Sequence, residues 1–150
     1  MSLKNLETLE TWSKARDFAL QIYKEVLPLL PPEEKWNLNQ QLRRCSLSIP
    51  ANIAEGHGRY YYQDNVRFCY NARGSLEETL SHLSIAGELN IIPRPVLDSI
   101  VQDGEELTKL INGYVGYLKR SKHGQNEPGA SKSIQESPPH VDIEPSGNTA

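Results

Sequence analysis

Leu97, Ile100, Gly104, Leu107, Ile111, Tyr114 and Leu118 follow one another in alternating steps of three and four without a break. That period places all seven on one face of a single helix. Asn112-Gly113 is a hairpin signal in other settings. Here it sits inside the unbroken helical period, so the helix reading prevails. Three earlier stripes share the pattern. Trp12, Ala15, Ala19, Ile22 and Val26 form the first, with Thr8 or Thr11 as its cap and Pro28, then Pro31-Pro32, as its stop. Leu38, Leu42, Cys45, Ile49 and Ile53 form the second. Pro32 sits early in that helix, and Glu33 and Glu34 favour the positive end of its dipole. Pro50 removes one backbone bond and predicts a kink, while Gly56 and Gly58 end the segment. Asp64 caps the third stripe, Val66, Cys69, Ala72, Leu76, Leu80, Leu83 and Ala86 or Gly87, and Pro93-Arg94-Pro95 stops it.

Four such helices with short connections predict an all-α fold, an antiparallel up-down-up-down four-helix bundle. Gly74, Gly87, Gly104, Gly113 and Gly116 lie within helices three and four. Each costs about 1 kcal/mol against alanine in a helix interior, which points to close approach of another helix, inside the bundle or from another subunit. The composition shifts near Ser121. Residues 122–150 are rich in Pro, Gly, Ser and Glu, with Ile134, Val141 and Ile143 as the large aliphatics. Too little apolar surface is available there to offset the entropy of ordering. The expected organisation is therefore a bundle over 1–121 and a disordered tail over 122–150. The tail is acidic: residues 123–150 carry Lys132 against Glu127, Glu136, Asp142 and Glu144.

Most chemistry is absent from the pattern. There is no GxSxG elbow, Walker loop or HExxH. Gly56-His57-Gly58 lacks a third glycine and follows a helix, so it is no dinucleotide loop. His82 has Glu78 four residues before it, not the Glu-x-x-His of a di-metal bundle. Cys45 and Cys69 fall on apolar stripes and read as buried hydrophobes in a reduced compartment. No cofactor, no metal and no enzymatic activity are expected. The N-terminus carries no secretory signal, no apolar run reaches membrane-spanning length, and a cytoplasmic protein is expected.

Charge is more informative. The formal net charge is −3, from 16 basic and 19 acidic residues. Residues 35–75 nevertheless hold six basic residues against two acidic ones, a local net of +4. Five of the six are arginines. Arg43, Arg44, Arg59 and Arg67, with Tyr60, Tyr61 and Tyr62, supply phosphate-binding groups beside rings for base stacking. These seven are the candidate nucleic-acid-binding residues. Asn52 and Glu55 on helix two, with Arg73 and Ser75 on helix three, form a second set. It reads as a structural polar network where two helices cross, with Gly74 allowing the close contact.

The same region resembles the bacterial four-helix-bundle proteins of the 23S ribosomal RNA intervening-sequence family. The resemblance is carried by Gln41-Leu42-Arg43-Arg44, Ser48-Ile49-Pro50-Ala51-Asn52-Ile53-Ala54-Glu55-Gly56, Gly58-Arg59, Arg67-Phe68 and Ala72-Arg73-Gly74-Ser75-Leu76-Glu77-Glu78. Trp12, Ala15 and Ile22-Tyr23 match its first helix. It covers roughly residues 9–118. The resemblance implies an up-down bundle without known enzymatic activity, often assembled as a homopentamer. Some members are encoded within ribosomal RNA gene insertions, and distant relatives serve diversity-generating retroelements, binding a reverse transcriptase and nucleic acid. Two functions fit: an oligomer binding nucleic acid or a ribonucleoprotein through the arginine/tyrosine patch, or an oligomeric protein–protein scaffold. In a pentamer the +4 segment would repeat five times, to +20, and deleting the acidic tail would tighten binding.

Overall fold

A computed structural model describes residues 3–122 and 124–125. The expected tail from residue 126 onward lies outside them. The described residues are all-α: α1 Leu3–Glu7, α2 Glu10–Gln21, α3 Leu38–His57, α4 Tyr62–Glu88 and α5 Arg94–Ser121. α2 packs on α3 and α5, α3 on α4, and α4 on α5, which closes a ring of four long helices. Polar and packing pairs fix the relative direction of two of these neighbours. Cys45 meets Thr79, Ser48 meets Ser75 and Gly56 meets Asn65, so α3 and α4 are antiparallel. Gly87 meets Leu97, Gly104 meets Leu80 and Asn65 meets Tyr114, so α4 and α5 are antiparallel as well.

The stripes form the core. Ile22, Leu42, Ile49, Ile53, Leu76, Leu83, Ile100, Leu107 and Ile111 are all fully buried. Each such side chain contributes about 1.5–3 kcal/mol through burial. The stripes differ from expectation at single positions; in α4 Thr79 is buried and Leu80 is half-buried. In α2 the buried face is Thr11, Ala15, Phe18 and Ala19, continuing into Ile22 and Val26, while Trp12 is half-buried under the Arg16 guanidinium, 5.2 Å from its ring centroid. In α5 Val115 takes the buried place and Tyr114 is half-buried.

Helix ends differ from the sequence expectation in instructive ways. Neither Thr8 nor Thr11 caps α2; Leu9 occupies that position without a side-chain bond, and Thr8 Oγ1 donates to Asn5 O at 2.7 Å. Pro28 does more than stop the helix. Its nitrogen cannot donate to Lys24 O, and its ring crowds that carbonyl. The chain widens into a π turn over Ile22–Val26, then tightens into a 3₁₀ turn over Leu27–Leu29. Pro32 opens another 3₁₀ turn, and α3 starts only at Leu38, whose N–H donates to Glu34 Oε2 at 3.2 Å. α3 runs on through Pro50 to His57.

Asp64 lies inside the first turn of α4 and pairs with Arg67; it is not the cap, which is Tyr61. α4 ends before the prolines. Asn90 adopts φ 57°, its N–H donates to Gly87 O, and Ile91 N–H donates to Ala86 O, both at 3.0 Å. That is a Schellman ending with asparagine in the left-handed position. Pro93 and Pro95 instead begin α5.

The glycines divide by their surroundings. A methyl on Gly56 would lie 2.7 Å from Asn65 Oδ1 and 2.9 Å from Phe68 Cβ, so glycine there permits the α3–α4 crossing. Gly104 is closed in by Leu80, and Gly87 by Leu97. Gly74 and Gly113 face open space, which corrects the expectation that Gly74 brings two helices together.

Candidate nucleic-acid interface

The α3–α4 turn collects the chemistry. Arg59 follows the end of α3 and Arg67 lies in the second turn of α4. Their guanidinium carbons stand 5.2 and 5.9 Å from the centroid of the same ring, Phe68. Two guanidinium groups thus share one aromatic ring at this end of the molecule. Each guanidinium is paired locally, Arg59 with Glu55 Oε1 at 2.7 Å and Arg67 with Asp64 Oδ1 at 3.3 Å. All four side chains are substantially exposed, so these pairs are worth about 0–1 kcal/mol and exchange readily for another anion.

Beside them opens a cleft of about 340 Å³, lined by Tyr60, Tyr62, Asn65, Tyr114 and Tyr117 with His57 and Arg59. Tyr61 packs edge-on to Tyr62, ring centroids 5.2 Å apart, and Gln63 Nε2 donates to Tyr62 Oη at 3.2 Å. Asn65 is buried and its Nδ2 donates to Tyr114 Oη at 3.0 Å. Burial pushes the Tyr114 phenol above its ordinary range, against a smaller opposing effect of the Asn65 bond, so it keeps its proton. Tyr117 stands near-parallel to Tyr114, at 14° with centroids 6.4 Å apart. The last turn of α5 carries Arg120 and Lys119, whose ammonium stands 5.7 Å from the Tyr70 ring centroid.

Five of the seven candidate residues therefore gather here: Arg59, Tyr60, Tyr61, Tyr62 and Arg67. Arg43 and Arg44 do not. They lie some 15 residues back along α3, roughly 23 Å at 1.5 Å per residue. Arg43 sits over Tyr23, 5.1 Å from the centroid, and donates to Asn39 Oδ1 at 2.6 Å. Arg44 pairs with Glu78 and donates to Gln41 Oε1 at 3.0 Å. Sequence reasoning missed Tyr114, Tyr117 and Asn65. Tyr114 falls on the apolar period of the last helix, and nothing local joins residue 65 to residue 114.

The expected network of Asn52, Glu55, Arg73 and Ser75 is only half formed. Asn52 Nδ2 donates to Ser48 O and Oγ at 2.8 and 2.9 Å, and Ser48 Oγ meets Ser75 Oγ at 2.8 Å. Thr79 Oγ1 extends this seam, 3.1 Å from Cys45 Sγ. Glu55 and Arg73 take no part. Glu55 turns along its own helix to Arg59, and Arg73 crosses to α5, donating to Asn112 Oδ1 at 2.8 Å. Among the described residues no group of three or more His, Cys, Asp or Glu could hold a metal ion, and no helix is long and apolar enough to cross a membrane.

Residues 7–113 match the family described as 23S rRNA-intervening sequence protein. This chain belongs to that family. Among solved structures it is similar to a protein of unknown function from the S23 ribosomal protein family of Bacteroides thetaiotaomicron. The two share 26% identity at a TM-score of 0.65, over 70% of this chain and 97% of that one. No curated protein matches. The matched region of the intervening-sequence family spans α2, α3 and α4 and most of α5, and includes the whole arginine/tyrosine turn.

Proposed function

We propose that this protein binds nucleic acid, or a ribonucleoprotein, through the α3–α4 turn, acting as an oligomer and without catalysis of its own. The observation that carries the reading is the convergence of Arg59 and Arg67 on Phe68 beside a tyrosine-lined cleft. Guanidinium groups suit phosphate, and their carboxylate partners are weakly held. Arg43 and Arg44, farther along α3, meet the backbone of a longer strand. The four long helices read as one up-down-up-down bundle, which presents this turn at one end.

Assembly strengthens the reading. Leu47 and Ile85 are about half exposed, apolar surface that a second subunit can cover. A homopentamer, the state the resemblance implies, would repeat the net +4 of residues 35–75 in every subunit. The alternative, a scaffold for a protein partner, draws on other exposed apolar groups, Trp36 (77% exposed) and Leu89. Salt separates the two. For a nucleic-acid binder the logarithm of affinity falls linearly with the logarithm of salt. Arg59→Ala and Arg67→Ala should each reduce that slope by about 1. Absence of any salt-sensitive RNA or DNA binding leaves the scaffold reading.

A further inference from the structure

Resting on that reading, we propose that the cleft between the α3–α4 turn and the end of α5 receives one unpaired nucleobase. The protein would then engage single-stranded or looped-out nucleic acid in preference to continuous duplex. The cleft volume, about 340 Å³, falls at the lower end of the range of roughly 300–1,000 Å³ for small-ligand pockets. Its rim carries two exposed rings, Tyr60 at 60% and Tyr117 at 57%. Such rings bind any base by its face, whatever the base's identity.

The wall behind them is built for polar contact. Asn65 is only 5% exposed and is committed to Tyr114. In that bond Tyr114 Oη is the acceptor, so its own proton is left to donate, and among the described residues no acceptor for it is found. A base edge entering the cleft supplies carbonyl or ring-nitrogen acceptors for that proton. Arg59 lines the same cleft and can hold the adjoining phosphate. The chain beyond α5 approaches Tyr60 closely at Gly124. Gly124 adopts φ 74°, and a Cβ there would lie 2.6 Å from Tyr60 O. A base stacked within duplex has no free face and must leave the stack to enter, at a cost of a few kcal/mol.

The test uses the full chain and three fluorescent probes: an oligouridylate, an oligothymidylate, and a blunt duplex of equal length. Anisotropy at low salt should show both single strands bound and the duplex weaker by about tenfold or more. Tyr117→Ala should weaken single-strand binding by about 5- to 150-fold, the equivalent of ~1–3 kcal/mol for one stacked base. Tyr117→Phe keeps the ring and should restore most of that loss. Because Tyr117 is largely exposed, thermal unfolding should place both variants near the parent. Equal affinity for duplex and single strand, with Tyr117→Ala unchanged, overturns the pocket and leaves the arginine interface standing. No binding to any probe overturns both.

Discussion

Each arginine of the patch is held by a neighbour close in sequence or by an aromatic face, and this decides which residues act together. Glu55 satisfies Arg59 across one helical turn, leaving Arg73 to reach Asn112 and the Tyr70 ring, 4.8 Å from its centroid. Glu55→Gln and Arg73→Ala should therefore be additive in a double-mutant cycle to within about 0.5 kcal/mol of urea-derived stability. A larger coupling would mean that the two meet after all. The buried thiols give a second prediction. Burial pushes Cys69 from its ordinary 9.0 up to about 12, and it raises Cys45 too, against the opposing Thr79 hydrogen bond. Above pH 9 the unfolded thiol ionises while the folded one stays protonated, so the unfolded state binds fewer protons. Stability must then fall as pH rises from about 9 toward about 12. Cys69→Ala should flatten the fall in urea midpoint between about pH 8 and about pH 10.5. An identical fall in the variant would show that Cys69 does not contribute.

Helices reward the reading of period and punish the reading of punctuation. The stripes of α3 and α5 were legible because an apolar side chain every three or four residues has one geometric solution. α5 ignored Asn112-Gly113 for the same reason. Ends were less legible. Asn90 stops α4 by a backbone conformation that only its flanking hydrogen bonds reveal, so the nearby prolines drew the attention instead. Pro28 widened a helix that it was expected only to stop. Glycines in one helix can serve opposite purposes, and only the packing tells them apart. Gly113→Ala should raise stability by about 1 kcal/mol, since the added methyl meets open space. Gly56→Ala should lower it, since the methyl would press on Asn65 and Phe68. Thermal melts of both variants check the pair, and the same sign for both would contradict this sorting. Leu107→Ala or Ile111→Ala should cost about 2–5 kcal/mol in urea unfolding, as buried aliphatics do. A cost near zero would remove the fourth stripe from the core.

The molecule as a whole is acidic, and its net positive segment is residues 35–75. The candidate site was therefore half legible: the arginines and Tyr60–Tyr62 stand together in sequence, whereas Tyr114 and Tyr117 join them only through the fold. The net −3 of residues 123–150 can compete for the same arginines. Removing residues 126–150 should tighten nucleic-acid binding at low salt and matter less at high salt. Weaker binding after truncation would make the tail part of the interface. The central claim is that one end of the bundle is the contact surface, and cross-linking locates that surface directly. Ultraviolet cross-linking of the full chain to a single-stranded RNA bearing photoreactive uridines, followed by peptide mapping, should place adducts within residues 57–67 and 114–121. Adducts confined to Trp36 and the α2–α3 connection, or no adduct under conditions of measured binding, would contradict it.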